Sequence, residues 1–200
     1  MTANPRTDHT DAKRRQLLDA AERIYYRQRD LGLTVRRLAA EAETTSQTIY
    51  TYFGSRDAVI DAMYQRATAD MESFFDRAMQ RLSATGEDGD PTALAELLDG
   101  YRSYCRRWPT RFLMLTSASG PDGTDRGSLE SLRKRFFELV AEAMGPLRRG
   151  DGPAPVADVL LTVTAVNGFV QAELDGFVET EDQGDRAFGH LAATLVGGAP

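Results

Sequence analysis

The sequence predicts an all-α chain, and three observations carry that reading. Apolar residues recur at three- and four-residue steps in nearly every long segment. No stretch alternates with period two over a useful length, and Thr, Ser and Gly stand where helices would begin and end. The expected organisation is a disordered tail over residues 1–10, a small three-helix domain over 11–55 and a larger helical domain over 56–200.

Each element has its own signal. Over residues 11–28, Leu17, Leu18, Ala21, Ile24 and Tyr25 form one face, while Lys13, Arg14, Arg15, Glu22 and Arg23 fall largely elsewhere. Leu31-Gly32-Leu33 interrupts the pattern, and Thr34 then caps a short helix over 35–42 with Val35, Leu38, Ala39 and Ala42 inward. Thr45 caps the next, over 46–53, with Ile49 and Phe53 facing the interior. Gly54 and Ser55 end it and open a helix over 56–82 striped by Val59, Ile60, Met63, Ala67, Phe74, Phe75 and Ala78. A loop at 86–91 precedes helices at 92–107, 110–117 and 128–144, with an exposed turn at 120–127. A linker at 148–155 leads to two last helices, at 156–177 and 182–196.

Composition narrows the function classes. The 200 residues, 42% hydrophobic and 27% charged, have the balance of a soluble globular protein. The N-terminus lacks the apolar core of a secretory signal, and no apolar run approaches the ~18 residues of a membrane span, so the expected place is the cytoplasm. The single cysteine, Cys105, cannot form an internal disulfide, and His9 and His190 make no cluster at metal-ligand spacing, so neither metal nor cofactor is called for. Nucleotide-binding glycine loops and the GxSxG elbow are missing, which argues against an enzyme. The net charge of −6 hides an asymmetry: residues 1–56 hold ten Lys and Arg against seven Asp and Glu, and residues 57–200 hold fourteen against twenty-three. With a Debye length of about 8 Å at physiological salt, a basic N-terminal face attracts nucleic acid independently of an acidic body.

Residues 34–60, TVRRLAAEAETTSQTIYTYFGSRDAVI, hold two short helices joined by a tight turn, between one longer helix and another. That is the layout of a helix-turn-helix. Its second helix must be polar outward to enter a major groove about 12 Å wide. Ser46, Gln47, Thr48, Tyr50, Thr51 and Tyr52 make that face.

Over residues 13–63 the sequence resembles the TetR family, in which an Ala-Gly-Val-Ser turn leads into a helix ending Thr-Leu-Tyr-x-His-Phe and then Lys-x-x-Leu. Ala42, Thr48, Ile49, Tyr50 and Phe53 match that pattern, and Arg56 takes the Lys position. The resemblance implies a homodimeric, sequence-specific DNA-binding transcriptional regulator, a repressor released from a palindromic operator by a small hydrophobic ligand. It also implies that the helical C-terminal domain binds that ligand and forms the dimer. Thr34, Thr48, Tyr52 and Arg56 would then hold phosphates, and Ser46, Gln47, Tyr50 and Thr51 would lie against base edges. Glu43 and Thr44 replace the usual Gly and Val of the turn, where a non-Gly residue in left-handed conformation costs roughly 1 kcal/mol. Tyr52 replaces the usual His and keeps a hydrogen-bond donor. The C-terminal part loosely resembles the domain named for a Trp-His-Gly motif, through YRSYCRRWPTRFLML at 101–115 and Gly168, with Asn167 in the His position and the Trp missing.

A ligand pocket is suggested by the aromatic residues of the C-terminal part. Phe74, Tyr101, Tyr104, Trp108 and Phe112, with Phe75, Phe136 and Phe137, fall on helices that would surround one cavity. Any single ring is more simply read as ordinary core. Asn167 and Gln171 are polar, four apart and set among apolar neighbours, so each would either orient a ligand or hydrogen-bond across a dimer. The last two helices carry Val159, Leu160, Val163, Val166, Phe169, Val170, Leu174, Phe188, Leu191, Ala192, Leu195 and Val196, more than a terminal hairpin hides alone. A two-fold four-helix interface would bury them. The competing reading, favoured by Glu43 and the overall acidity, is a protein-interaction module without ligand response or with lost DNA binding.

Overall fold

The computed structural model describes residues 5–28, 32–84, 92–117, 126–147 and 154–197. Among these the chain forms α1 (Pro5–Gln28), α2 (Val35–Glu41), α3 (Ser46–Phe53), α4 (Arg56–Ser83), α5 (Ala93–Arg107), α6 (Pro109–Thr116), α7 (Arg126–Met144), α8 (Val156–Leu174) and α9 (Glu181–Gly197). A 3₁₀ turn, Gly145–Leu147, follows α7, and no strand occurs among the described residues. The all-α expectation is borne out. No helix among the described residues is long and apolar enough to cross a membrane.

Two helix limits differ from expectation by about three residues or more, for local reasons. The helix α1 starts at Pro5, so residues 5–10 are its first turns and not tail; proline fits there because the first N–H groups of a helix have no intrahelical partner. The helix α8 stops at Leu174, before residue 177. Gly176 takes φ 81°, its N–H donates to the Glu173 carbonyl at 3.1 Å, and the Phe177 N–H donates to Ala172 at 3.0 Å, which is a Schellman ending. Residues 1–4 of the expected tail, the loop at 86–91, and residues 120–125 and 148–153 lie outside the described residues.

The chain divides into two compact units, Met1–Ala69 with Pro109–Arg126, and Asp70–Trp108 with Gly127–Pro200. The boundary expected after residue 55 is not where the compact units part: the opening half of α4 and the whole of α6 belong with the N-terminal helices. In the first unit Leu17, Leu18, Ala21, Ile24 and Tyr25 of α1 are buried, with Leu38, Ala39, Ala42 and Ile49 from α2, the turn and α3. Val35 and Phe53, expected inside, are half-buried. Glu22, placed on the polar face of α1 by its spacing, is buried as well. Its carboxylate accepts from Arg111 of α6 at 3.2 and 3.4 Å, with Glu22 8% and Arg111 2% exposed. Arg66 of α4 lies 3.5 Å from the same carboxylate and 2.6 Å from Asp19, and the Thr110 hydroxyl donates to the Glu22 carbonyl at 3.0 Å. A buried carboxylate persists when it is paired and hydrogen-bonded in this way.

The second unit is organised around α5, which packs on α8 and α9. Leu94, Leu97, Leu98, Tyr101 and Cys105 are buried and Tyr104 is half-buried, and burial pushes the Cys105 thiol well above its ordinary value, so it remains a small protonated hydrophobe. Arg102 ties three helices together. Its guanidinium donates to both Glu173 oxygens of α8 at 2.9 and 2.6 Å and reaches Asp185 of α9 at 2.9 Å, while lying 4.8 Å from the Phe188 ring. Gly184 lets α9 come this close, because a Cβ there would sit 2.7 Å from Glu173 Oε1 and 3.1 Å from Arg102.

Arg102 is 4% exposed, so Arg102→Met leaves Glu173 without its cation in a shielded place. Denaturant unfolding of that variant is expected to show a loss of about 3–5 kcal/mol. A loss below about 1 kcal/mol, the value of an exposed pair, would show that the knot is hydrated.

Candidate nucleic-acid interface

The α2–turn–α3 segment is built from caps. Thr34 has extended backbone (φ −125°, ψ 153°) and its Oγ1 accepts the Arg37 N–H at 3.2 Å. Thr45 repeats the arrangement at α3, accepting the Thr48 N–H at 3.2 Å, with the two hydroxyls 3.0 Å apart. Between them the chain reverses at Glu43, whose φ of 49° lies in the left-handed region. The Thr44 N–H donates to Ala39 at 2.8 Å and closes the turn. Glu43 therefore holds the conformation that glycine adopts without strain. Gly54, at φ 82°, ends α3 with its N–H on the Tyr50 carbonyl at 2.9 Å, and Ser55 caps α4 by accepting the Ala58 N–H at 3.0 Å.

Ile49 is wholly buried, and the opposite face of α3 is open. Gln47 and Thr51 are exposed and Tyr50 is 50% exposed, whereas Ser46, Thr48 and Tyr52 are half-buried. The Thr51 hydroxyl donates to the Gln47 carbonyl at 2.9 Å, so its proton is engaged within the helix and its methyl group is left for an outside contact. Thr34 is exposed at the start of α2. Arg56 is partly engaged with the protein: Nε donates to the Leu33 carbonyl at 2.7 Å, and the guanidinium lies 3.1 Å from Asp57. The residues named from the sequence thus share one stretch of backbone, with Gln47, Tyr50 and Thr51 the most accessible.

Several cations near this surface bond to the protein. Arg23 and Arg27 of α1 reach the Glu41 carboxylate at 2.8 and 2.5 Å, latching α2 to α1. Hydrogen bonds from these two guanidiniums hold the Glu41 carboxyl below its ordinary value. Arg37 bonds to Gln28 and to the Gly32 carbonyl. Arg14, which the spacing sets off the apolar face of α1 without giving it a partner, donates to the Tyr52 carbonyl at 3.0 Å and lies 4.5 Å from the centre of the Phe53 ring. The partners are thirty-eight positions apart, beyond any helical periodicity.

The expected ligand residues are only partly brought together. In the second unit Phe74 lies 6.4 Å from Tyr101 and 5.7 Å from Tyr104 between ring centres, Tyr101 stacks on Phe136 at 4.3 Å, and the Tyr101 hydroxyl donates to Asn167 Oδ1 at 2.8 Å. Burial raises the Tyr101 phenol well above its ordinary value. Gln171 instead donates to Asp175 at 2.9 Å, and Trp108 is half-buried beneath Arg107. Phe112 is buried in the first unit. A cleft of about 640 Å³ opens elsewhere, between α5 and α9, lined by Asp99, Ser103, Arg106, Asp185 and Gly189 among others.

A capped helix-turn-helix with a polar second helix, carried by an all-α chain, defines the helical DNA-binding regulators. Residues 17–63 match the family described as bacterial regulatory proteins, tetR family, and residues 94–195 match the tetracyclin repressor-like, C-terminal domain. The chain belongs to the TetR family of DNA-binding transcriptional regulators and is not an enzyme. An HTH-type transcriptional regulator in the dhlA 5′ region of Xanthobacter autotrophicus is 25% identical over 166 residues, 80% of this chain and 78% of that one. Solved structures of the same fold include the following two. A TetR-like regulator from Rhodococcus sp. RHA1 has a TM-score of 0.69 at 21% identity, covering 92% of this chain and 93% of that one. The regulator FadR of Bacillus subtilis, in complex with stearoyl-CoA, has a TM-score of 0.60 at 16% identity, covering 92% and 97%.

Two measurements check this geometry. Glu43→Val lowers the unfolding free energy by roughly 1–2 kcal/mol, because a β-branched side chain fits the left-handed region worst, whereas Glu43→Gly leaves it equal or higher. Equal losses in thermal melts would place the strain elsewhere. Since its folded pKa is depressed, Glu41 contributes stability at neutral pH that disappears as pH falls through the carboxylate range. Glu41→Gln therefore melts below the parent at neutral pH, and the gap closes only as pH falls below the ordinary Glu value of about 4.3; a constant gap would count against the latch.

Proposed function

We propose that the chain is a homodimeric repressor, acting in the cytoplasm, that reads a palindromic operator with α3 and is released by a small hydrophobic ligand. The observation that carries this reading is the open face of α3, with Gln47, Tyr50 and Thr51 accessible on a helix capped at its N-terminal end by Thr45 and closed at the other by Gly54. Ser46 flanks that reading face, while Thr34, Thr48, Tyr52 and Arg56 set the register by holding phosphates. Since α3 contains no Lys or Arg, the bidentate guanine contact of a cationic side chain is missing from it. Its reading chemistry is that of A·T pairs: the Gln47 carboxamide on adenine and the Thr51 methyl against thymine.

Dimerisation through α8 and α9 is supported by Val156, Leu160 and Leu161 of α8, each more than half exposed. Gly168 and Gly189 support it too. Each costs its helix roughly 1 kcal/mol relative to alanine, yet within one chain a Cβ at either would meet nothing; close approach of a second copy accounts for them. The ligand site is the Phe74, Tyr101 and Tyr104 cluster of the second unit, with Trp108 at the end of α5 and Gln171 on α8. The Tyr101–Asn167 hydrogen bond supports this, as a polar pair among rings able to orient an otherwise apolar molecule. The stearoyl-CoA complex of FadR is an instance of an acyl ligand on this fold.

Selection of duplexes from a random-sequence pool tests the reading. Recovered sites should be two-fold symmetric, with A·T pairs in each half-site. Gln47→Arg is expected to move one position per half-site toward G·C, a preference of about 1–3 kcal/mol, while Leu161→Glu yields monomers in sedimentation and weakens binding. A pool that returns no enriched sequence would remove the repressor reading in favour of a protein-interaction role.

A further inference from the structure

We propose that Arg14 is a positioning residue for DNA recognition, acting from α1 on the C-terminal end of α3 and not on the duplex; this rests on the reading of α3 as the groove helix. The geometry has two parts. Nη1 of Arg14 donates to the Tyr52 carbonyl at 3.0 Å, and its guanidinium carbon lies 4.5 Å from the centre of the Phe53 ring. The last carbonyls of a helix have no intrahelical donors. In α3 the Gly54 N–H serves Tyr50, and Arg14 serves Tyr52. A cation at that end also meets the negative pole of the helix.

Such a clasp matters more here than on a long helix, because α3 has only eight residues. Its N-terminal end is held separately by Thr45, and its middle by buried Ile49. Phe53 is half-buried, so burial alone does not fix the last turn, and the planar guanidinium completes the packing of its exposed face. Tyr50 and Thr51 project from the turn that ends in this clasp. Releasing it blurs the orientation of those two side chains while leaving the charge of the surface to other residues, among them exposed Arg15 and Arg36. The readout is therefore base discrimination, not general affinity.

The test uses the full-length protein and a duplex recovered from the random pool, against a scrambled duplex of equal length, across a salt series. Arg14→Lys and Arg14→Gln are each expected to lose about tenfold in the ratio of the two affinities, with the salt slope on scrambled DNA unchanged. Phe53→Leu, which keeps apolar volume, loses the same discrimination, and combining it with Arg14→Gln adds little, since the two side chains act as one unit. Melting of each variant sets a temperature at which it is folded. The inference is overturned if Arg14→Lys keeps the ratio while Arg14→Gln weakens both duplexes alike and lowers the salt slope by about one, which marks a phosphate contact. It is equally overturned if folded variants of both kinds discriminate like the parent. A parent protein that prefers no duplex would remove the groove-helix reading itself, whereas a discriminating parent with a phosphate-like Arg14 removes this inference alone.

Discussion

An isolated helix shorter than about 12–15 residues is marginal in water, and α3 has eight residues with one face left open. Everything that keeps it helical has to come from its buried side and its ends. Ile49 anchors the middle, Thr45 holds the first turn, Gly54 and Arg14 close the last, and Glu43 sets the angle at which the helix leaves α2. Of the outward side chains Thr51 returns a hydrogen bond to the helix, on the Gln47 carbonyl, and Gln47 and Tyr50 stand exposed.

Charge is arranged by the same economy. The N-terminal helices are basic, but Arg14, Arg23, Arg27, Arg37 and Arg66 all hold neighbouring elements in place. Glu41, Asp19 and Glu22 offset Arg23, Arg27 and Arg66, whereas Arg14 and Arg37 bond to neutral oxygens and keep their net charge. Of the five, only these last two both fix α2 and α3 and attract a polyanion at short range.

Local signals made most of the fold legible in the sequence. The limits of α3 follow from Thr45 and Gly54 alone, and the inward face of α1 follows from its three- and four-residue spacing. The outward face of α3 was recoverable because a buried Ile49 fixes which side of a two-turn helix faces out. What stayed hidden depends on contacts between distant segments. Glu22 and Arg14 read only as residues off the apolar face of α1 until α6 brings Arg111 to the first and α3 brings Tyr52 to the second. The aromatic residues of the C-terminal part were grouped by their helices, but spacing along a helix does not say whether rings enclose a space or fill it.

The placement of α6 has a consequence for modularity. A fragment cut after residue 69 would carry the whole helix-turn-helix, yet it would also carry Glu22 without Arg111 and with an apolar flank of α1 newly wetted. The DNA-binding part of this chain is thus not a detachable head: a graft onto another protein must bring a strip from the middle of the chain along with the beginning.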